Sequence, residues 1–305
     1  MLMKRGLLNL ITALAIILGG FSQLSIQAKT VIYPTVASGE KVASNEKCLI
    51  DYSNCQDGYV IIKYKESTKK VLKVQTVANG NESRTYTYTI KPKKKEIIPL
   101  TEGNGSYKIS VYLNISGNEY LTVLSETVDV HISDEFAPYI RPNQYVDYKK
   151  NTKVVKKAAS LTKKSKNDLA KVRKIYNYVV KNYKYDKNLA RTVKSGYLPN
   201  LNKIYKKKKG ICFDYAAIMT AMLRSQGVPT KLIIGYAGNE YHAWINVYSK
   251  KKGWITGAIY INCNTKNGKI KWKLMDPTFA STSNSSKAVM KKIESGKMYK
   301  AKYSY

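Results

Sequence analysis

One segment of the sequence, residues 212–226, is apolar on almost every side of a helix. Gly227 and Pro229 follow it in the order typical of a helix C-terminus. A helix without a polar face is a buried helix. We therefore predict that the C-terminal half folds around this segment. Its apolar members are Phe213, Tyr215, Ala216, Ala217, Ile218, Met219, Ala221, Met222 and Leu223.

The rest of the C-terminal half predicts an α+β domain. Apolar residues at three- and four-residue steps predict an amphipathic helix over residues 169–183, and Ser165 with Asp168 forms a capping signal before it. The basic stretch that leads to Gly210 has the composition of a loop, and we predict a loop there. Strand-like runs then follow the buried helix at residues 230–236, 241–248, 254–261 and 269–276.

The N-terminal half has the alternating pattern of β-strands. Runs rich in Val, Ile, Thr and Tyr are separated by Gly, Asn and Asp clusters, and they cover residues 59–64, 71–77, 85–90, 106–115 and 120–132. This pattern predicts an all-β sandwich of immunoglobulin or fibronectin type. With Pro138 and Pro142 as linker signals, we predict a sandwich domain at 29–137, a linker at 138–150 and a catalytic domain at 151–305.

The first 28 residues have the layout of a secretory signal peptide. Lys4 and Arg5 precede an apolar run from Leu7 to Phe21, and a stretch of polar and small residues ends at Ala28. The alternative is an uncleaved membrane anchor, but the run is shorter than the roughly 20 apolar residues that a span needs. We predict a secreted or cell-surface protein that is cleaved after Ala28.

The chain is strongly basic, with a formal net charge of +33 that falls to +31 without Lys4 and Arg5. Such a charge bears on partners rather than on fold. The lysines are spread along the chain and match no nucleic-acid motif, so we expect no specific nucleic-acid partner. The two remaining interpretations are a solvated basic surface and binding to an anionic wall polymer or membrane surface.

The four cysteines do not form a disulfide scaffold or a zinc motif. Cys48 and Cys55 lie close enough in sequence to form a disulfide in an exported protein, but free thiols are an equal alternative. There is no Cys-x-x-Cys pair or His/Cys cluster, so the sequence predicts no metal site. Cys212 and Cys263 are the other two.

Cys212 occupies the start of the buried helix, where a thiol can become a nucleophile. Helix N-termini and cationic neighbours favour the thiolate, and a run of four lysines immediately precedes Gly210. The free N–H groups of the first turn can also stabilise an oxyanion. The alternative is that Cys212 is simply a small apolar residue of a core helix.

His242 is the histidine available to Cys212 within the C-terminal half, because the second histidine of the chain, His131, lies in the β-rich half. On its strand, His242 shares a face with Trp244, and Ala243 and Ile245 form the opposite, apolar face. This arrangement suits the wall of a cleft. A purely structural histidine is the alternative.

Asp276 is the single aspartate after His242, and it follows a predicted strand. A carboxylate on a neighbouring strand can orient an imidazole and hold its tautomer. Asn262 and Asn264 are chemically possible alternatives, although both lie near a predicted turn.

Three short segments resemble the signature segments of the transglutaminase-like superfamily, and more narrowly its bacterial secreted members. They are Gly210-Ile211-Cys212-Phe213-Asp214-Tyr215-Ala216, then Tyr241-His242-Ala243-Trp244, then Met275-Asp276-Pro277-Thr278. The resemblance covers roughly residues 150–282. It implies a papain-like α+β fold in which Cys212 is the nucleophile, His242 the general base and acid, and Asp276 the residue that orients His242.

The resemblance further implies acyl transfer without an organic cofactor or a metal. The expected substrate is a protein or peptide, whose glutamine or peptide carboxamide forms a thioester at Cys212 that an amine or water then resolves. Tyr185 is the candidate oxyanion donor, and Tyr241 and Trp244 are candidates for the substrate cleft. The alternatives are a cysteine peptidase or wall-peptide hydrolase, and a non-catalytic module that binds polyanions. The sequence does not indicate an oligomeric state.

Overall fold

The computed structural model describes residues 30–256, 259–262, 271–274, 278 and 299–305. The predicted signal peptide lies outside the described residues, and so do Asp276 and Cys263. Within the part of the chain that is described, no helix is long and apolar enough to cross a membrane.

The N-terminal half contains eight strands in two antiparallel four-stranded sheets. The strands are β1 Val42–Ser44, β2 Cys48–Asp51, β3 Tyr59–Tyr64, β4 Leu72–Ala78, β5 Tyr86–Ile90, β6 Lys95–Pro99, β7 Gly105–Ser116 and β8 Glu119–Val130. The first sheet has the order β1-β2-β3-β6, and the second has the order β5-β4-β7-β8. The sheet-rich N-terminal region is therefore present as the alternation predicts.

The inner faces of the two sheets contribute to one core. Their buried side chains include Ile50, Val60, Ile62, Leu72, Val74, Tyr88, Ile98, Ile109 and Val111. The alternation that buries Leu72 and Val74 turns Lys73 and Gln75 outward. Thr87 and Thr89 point outward in the same way from the neighbouring strand β5.

The five strands predicted for this half are all observed, with ends that differ by at most two residues. Strands β1, β2 and β6 were not predicted. Strand β6 begins with Lys95 and ends with Pro99, and it pairs with β3 at the edge of its sheet. Lysine and proline are typical of edge strands, and they hide the alternating pattern on which the prediction depended.

The C-terminal half packs helices and a sheet around the buried helix. The helices are α1 Lys153–Thr162, α2 Asp168–Asn182, α3 Lys187–Thr192, α4 Leu201–Lys207 and α5 Cys212–Arg224. The strands are β9 Lys184–Tyr185, β10 Lys209–Gly210, β11 Thr230–Ala237, β12 Glu240–Ser249, β13 Gly253–Ile255, β14 Ile259–Asn262, β15 Lys271–Leu274 and β16 Tyr299–Ser304. The main sheet has the order β13-β12-β11-β16.

Helix α5 is covered on all sides, as its composition predicts. Helices α1, α2 and α4 and strands β11 and β12 all contact it. Every residue from Asp214 to Arg224 is buried. The first residue, Cys212, is only partly buried, so the helix presents its N-terminal end to the surface.

The helices before α5 correct the sequence prediction in three respects. Helix α1 was not predicted, and the stretch interpreted as a basic loop contains α3 and α4. Helix α4 buries only Leu201 and Ile204 among lysines, a signal too short to register as a period. The cap of α2 is Asn167, whose side-chain oxygen accepts the Ala170 N–H at 2.9 Å, rather than Ser165.

Two of the predicted C-terminal strands also need correction. The predicted strand 254–261 is divided between β13, which pairs with β12, and β14, which pairs with β15. Strand β16 was not predicted, because lysines at 300 and 302 interrupt its pattern. It lies at the edge of the sheet beside β11, where charged side chains are tolerated.

The segment predicted as a linker, residues 138–150, packs into the structure instead of crossing solvent. Tyr139, Ile140, Val146 and Tyr148 are buried, and Gln144 Nε2 donates to the carbonyl of Thr89 at 2.9 Å. The prolines follow the last strand of the N-terminal half, but the apolar residues between and after them bury surface that a free linker would expose.

Arg224, at the end of α5, ties the segment between the two halves to the main sheet of the C-terminal half. Its guanidinium is fully buried and donates to the carbonyl of Thr230 at 2.9 and 2.8 Å, of Arg141 at 2.6 Å and of Tyr305 at 2.7 Å. Burial lowers the pKa of Arg224 to about 10. One cation therefore satisfies carbonyls from the segment before α1, from β11 and from the residue after β16.

The cysteines of the N-terminal half are free thiols. Cys48 and Cys55 are both buried, and neither forms a disulfide. Burial raises the pKa of Cys48 to about 11, so this thiol stays protonated and packs as a small apolar side chain.

Candidate active site

Cys212 is held at the first residue of α5 by the short parallel pair of β9 and β10. Tyr185 of β9 is in register with Gly210 of β10, and the Asp186 N–H donates to the Gly210 carbonyl at 2.9 Å. The backbone that leads into Cys212 is thereby fixed against the segment that carries Tyr185.

Asp214 closes the N-terminus of the same helix. Its side chain is completely buried, and its carboxylate accepts the Ile211 N–H at 2.9 Å and the Tyr197 hydroxyl at 2.7 Å. Burial raises the pKa of Asp214, against the lowering effect of these two hydrogen bonds. The carboxyl therefore fixes the turn immediately before Cys212 and ties it to the loop that carries Tyr197.

Gly210 makes room for the Asp214 side chain. A Cβ added at residue 210 would lie 2.5 Å from Asp214 Cβ and 2.7 Å from Asp214 Oδ2. No side chain can occupy that space without displacing the carboxylate. The glycine is therefore required by the close approach of Asp214.

His242 lies in the middle of the main sheet, on β12 opposite Gly235 of β11. It is 7% exposed, and its ring stacks at 6.3 Å on Trp244, which itself contacts Tyr299 at 5.1 Å. The imidazole is thus supported from behind by aromatic rings, and it has a restricted orientation.

Cys212 and His242 line the same cavity, which has a volume of about 710 Å³. Small-molecule and peptide sites typically have volumes of a few hundred to about 1,000 Å³. Aromatic side chains form much of the lining, namely Tyr145, Tyr185, Tyr197, Phe213, Tyr241, Tyr303 and Tyr305. The structure therefore brings the predicted nucleophile and the predicted base to one cleft.

The opposite wall of this cavity comes from the N-terminal sheet. Lys73 of β4 and Thr87 and Thr89 of β5 line it. The loop around Gly196 closes the gap between the halves, since a Cβ added there would lie 3.4 Å from Thr89 Oγ1. The cleft is thus built by both halves of the chain.

The two predicted cleft aromatics have different positions. Tyr241 is 61% exposed and lines the cavity, and desolvation of its hydroxyl is the largest cause that raises the pKa of the phenol, followed by the neighbouring Tyr303 and Tyr236. Trp244 is 4% exposed and is not among the residues described as lining the cavity. Its indole leans over Gly235, where a Cβ would lie 2.9 Å from the ring.

Tyr185, the predicted oxyanion donor, lines the cavity with Cys212. Asp276 lies outside the described residues, so its distance from His242 is a prediction that stays open. Over the described ranges, no cluster of His, Cys, Asp or Glu side chains has the composition of a metal site.

Asp214 and Tyr197, which position the helix start at Cys212, and the N-terminal wall of the cavity were not predicted from the sequence. Asp214 could have been found, because an acidic residue at the third position of a helix is a capping signal. Tyr197 and the N-terminal wall could not, since nothing in the local pattern of β4 and β5 indicates that their outer face meets the helix N-terminus.

A sequence profile of the transglutaminase-like superfamily matches residues 155–257, which include Cys212 and His242. This region forms a transglutaminase-like core. The core combines helices and sheets in the papain-like manner, as the resemblance of the segments around Cys212 and His242 predicted.

Two curated proteins are similar to parts of this chain. YebA of Bacillus subtilis (strain 168), itself uncharacterized, is 23% identical over 201 residues, which cover 55% of this chain and 27% of YebA. A protein-glutamine gamma-glutamyltransferase of Pseudomonas aeruginosa is 27% identical over 67 residues, which cover 17% of this chain and 10% of that enzyme. The similarity therefore spans only about a quarter and a tenth of the lengths of these relatives.

Solved structures show a distant similarity. A protein from Cytophaga hutchinsonii proposed to be a cysteine protease is 15% identical, with a TM-score of 0.36 over 78% of this chain and 68% of its own. Red sea bream transglutaminase is 14% identical, with a TM-score of 0.29 over 74% of this chain and 48% of its own.

The Asp214 contacts predict different outcomes for two substitutions near Cys212. Asp214→Leu leaves the Ile211 N–H and the Tyr197 hydroxyl without an acceptor, so we expect a loss of about 2–4 kcal/mol in the free energy of unfolding. Asp214→Asn can accept one of these bonds and donate the other, so its cost should be about 1 kcal/mol. Urea unfolding measures both, and Asp129→Leu, at an exposed carboxylate, serves as the control.

The cost of Asp214→Asn in the free energy of unfolding should also depend on pH, in a direction that follows from the pKa of Asp214. Because the folded-state pKa of Asp214 is raised above the value of about 3.9 for an unfolded aspartate, its contribution to stability is fully present below that value. The contribution is lost as the pH rises through the folded-state pKa. The cost of Asp214→Asn should therefore be larger near pH 4 than near pH 7. A cost that is equal at both pH values would contradict the raised pKa.

Proposed function

We propose that the protein is an exported cysteine acyltransferase that forms a thioester at Cys212 with a glutamine or peptide carboxamide. The observation that supports this most directly is the shared cavity of Cys212 and His242, with Cys212 as the partly buried first residue of a buried helix. The signal-peptide layout of residues 1–28 supports export or attachment to the cell surface.

In the first half of the proposed reaction, His242 takes the thiol proton of Cys212. The thiolate attacks the carboxamide carbon, and the carbonyl becomes an oxyanion. The imidazolium then returns its proton to the departing amine, so that a glutamine side chain releases ammonia. A thioester on Cys212 remains, and His242 is again neutral.

Two groups in the cavity are suited to stabilise the oxyanion. The first-turn N–H groups of α5 lie beside Cys212, and the positive end of the helix dipole adds to their effect. The Tyr185 side chain lines the same cavity, from a backbone paired with Gly210. We propose that Tyr185 donates a hydrogen bond to the oxyanion.

Asp276 is proposed to orient His242. It follows strand β15 in sequence, and a carboxylate acceptor on the second ring nitrogen would keep the imidazole in the tautomer that accepts the Cys212 proton. This role rests on the sequence resemblance and on the chemistry of the three residues.

In the second half of the reaction, an amine or water attacks the thioester. The aromatic lining of the cavity favours an amine acceptor such as a lysine, whose stem is apolar, and restricts water near the thioester. Similarity to a protein named protein-glutamine gamma-glutamyltransferase supports the same direction. We therefore propose transfer rather than hydrolysis.

The N-terminal half is proposed to be an accessory sandwich of immunoglobulin or fibronectin type. One sheet consists of β1, β2, β3 and β6, and the other consists of β5, β4, β7 and β8. The chain thus crosses between the two four-stranded sheets from β3 to β4, from β5 to β6 and from β6 to β7, and this crossing supports the sandwich interpretation.

The choice between transferase and hydrolase can be measured directly. We expect that a glutamine peptide supplied with a labelled primary amine yields labelled peptide, and that the yield rises with amine concentration, because the amine competes with water for the thioester. Mass spectrometry of the peptide and an ammonia assay follow both products. Cys212→Ala should abolish both, while circular dichroism reports an intact fold.

Release of ammonia without label, even at saturating amine, would assign the site to a glutamine hydrolase. Cleavage of the peptide chain instead would assign it to a cysteine peptidase or wall-peptide hydrolase. Full turnover by Cys212→Ala would exclude the cysteine mechanism altogether.

We further propose that the basic surface retains the protein on an anionic polymer or membrane surface. The lysine patch at α1 and its flanks consists of exposed side chains without an acidic residue among them. Its members are Lys149, Lys150, Lys153, Lys156, Lys163, Lys164 and Lys166. Like charges this close in sequence repel one another and do not stabilise the fold, but together they attract a polyanion.

Retention on anionic wall polymer should weaken as salt rises past about 0.15 M, where the Debye length is about 8 Å. Replacing Lys156, Lys163 and Lys164 by glutamine should reduce binding more than the same change at Lys69, Lys70 and Lys91, three exposed lysines of the N-terminal half. Cosedimentation with purified polymer measures both. Equal losses would indicate a generally basic surface, and salt-independent binding would contradict the charge mechanism.

A further inference from the structure

The cavity next to Cys212 contains few charged side chains. Among the described residues that line it, these are Lys73, Lys194 and Glu240. Lys194 and Glu240 are exposed at the rim, whereas Lys73 is partly buried. Lys73 is therefore the least exposed of these three charged residues, in a cleft whose remaining lining is mainly aromatic, aliphatic and hydroxyl-bearing.

Lys73 occupies a defined position on the outer face of the N-terminal sheet. It is directly opposite Thr89 on the edge strand β5, and Thr89 contacts the loop around Gly196 from the other half. The Lys73 ammonium lies 4.1 Å from the centroid of the Tyr120 ring. A cation–π contact of this kind restricts the lysine without neutralising its charge.

No carboxylate of the described part of the chain forms an ion pair with Lys73. The ammonium thus keeps its capacity to bind an anion, and the Thr89 hydroxyl, which lines the same cavity from the strand position opposite Lys73, can donate a further hydrogen bond. Among the groups of a peptide substrate, a carboxylate is the best acceptor for the Lys73 ammonium and the Thr89 hydroxyl.

We propose that Lys73 is a specificity-determining residue that binds a carboxylate of the substrate, at a distance from the reacting carboxamide. The inference rests on the proposed acyl transfer at Cys212, and it makes the N-terminal half part of the substrate site. The preferred acyl donor is then a peptide with an acidic residue near the reactive carboxamide.

Cysteine-directed labels test this preference without turnover. Each label is a short peptide in which an iodoacetyl group replaces the reactive carboxamide, with Asp or the isosteric Asn one, two or three residues away. Intact mass and peptide mapping follow alkylation of Cys212. Mapping separates Cys212 from Cys263, and Cys48 and Cys55 are buried.

At one or more spacings, we expect the Asp label to alkylate Cys212 about three- to tenfold faster than the Asn label at low salt, as for a partly buried charge contact. Lys73→Met should bring this ratio close to one, mainly by slowing the Asp label. Lys73→Arg should retain the preference. Lys108→Met, which removes an exposed lysine from the same sheet outside the cavity lining, should also retain it.

A ratio near one at every spacing in the unmodified protein would overturn the proposal, and so would a preference that survives Lys73→Met or disappears in Lys194→Met instead. These results leave the acyl-transfer proposal intact as long as the Asn label reacts at Cys212. Failure of both labels to modify Cys212 would count against the nucleophile itself.

Discussion

The burial of α5 on every side is the constraint on which the rest of the structure depends. An apolar helix must be covered completely, and α1, α2, α4 and the main sheet provide that cover. The two buried charges of the helix lie near its ends. Asp214 fixes the turn before Cys212, and Arg224 binds carbonyls from three other segments. Cys212 is consequently held between a rigid helix and a rigid turn, at the one end that reaches the surface.

The two halves of the chain share a continuous interface rather than a flexible connection. Tyr145 contacts Tyr305 at 4.5 Å and Tyr88 at 5.7 Å, so rings from the N-terminal half, from the segment before α1 and from the end of β16 pack together. This packing brings the outer face of the N-terminal sheet to the cleft. We propose that the N-terminal half supplies substrate contacts, whereas catalytic chemistry is confined to the transglutaminase-like core.

The sequence predicted the features that depend on local patterns. It predicted α5 from composition, five strands of the N-terminal half from alternation, and Cys212 and His242 from their positions on a helix and a strand. It did not predict α4, because two buried residues among lysines leave no measurable period. It could not predict that Lys73 lines the cleft with Cys212, because that arrangement arises from the docking of two sheets of distant sequence. Trp244 was assigned to the correct strand face, but its indole covers Gly235 and is not among the described cleft lining.

The proposed function depends above all on a covalent acyl intermediate that Cys212 forms in the cavity that it shares with His242. Mass analysis after acid quenching tests this intermediate most directly, on protein incubated with a glutamine peptide in the absence of an amine. We predict an adduct equal to the peptide minus ammonia, on the fragment that contains Cys212, which hydroxylamine removes because a thioester is labile to it. An adduct on another residue, or product formation with no adduct at Cys212 under conditions that trap thioesters, would contradict the proposed mechanism.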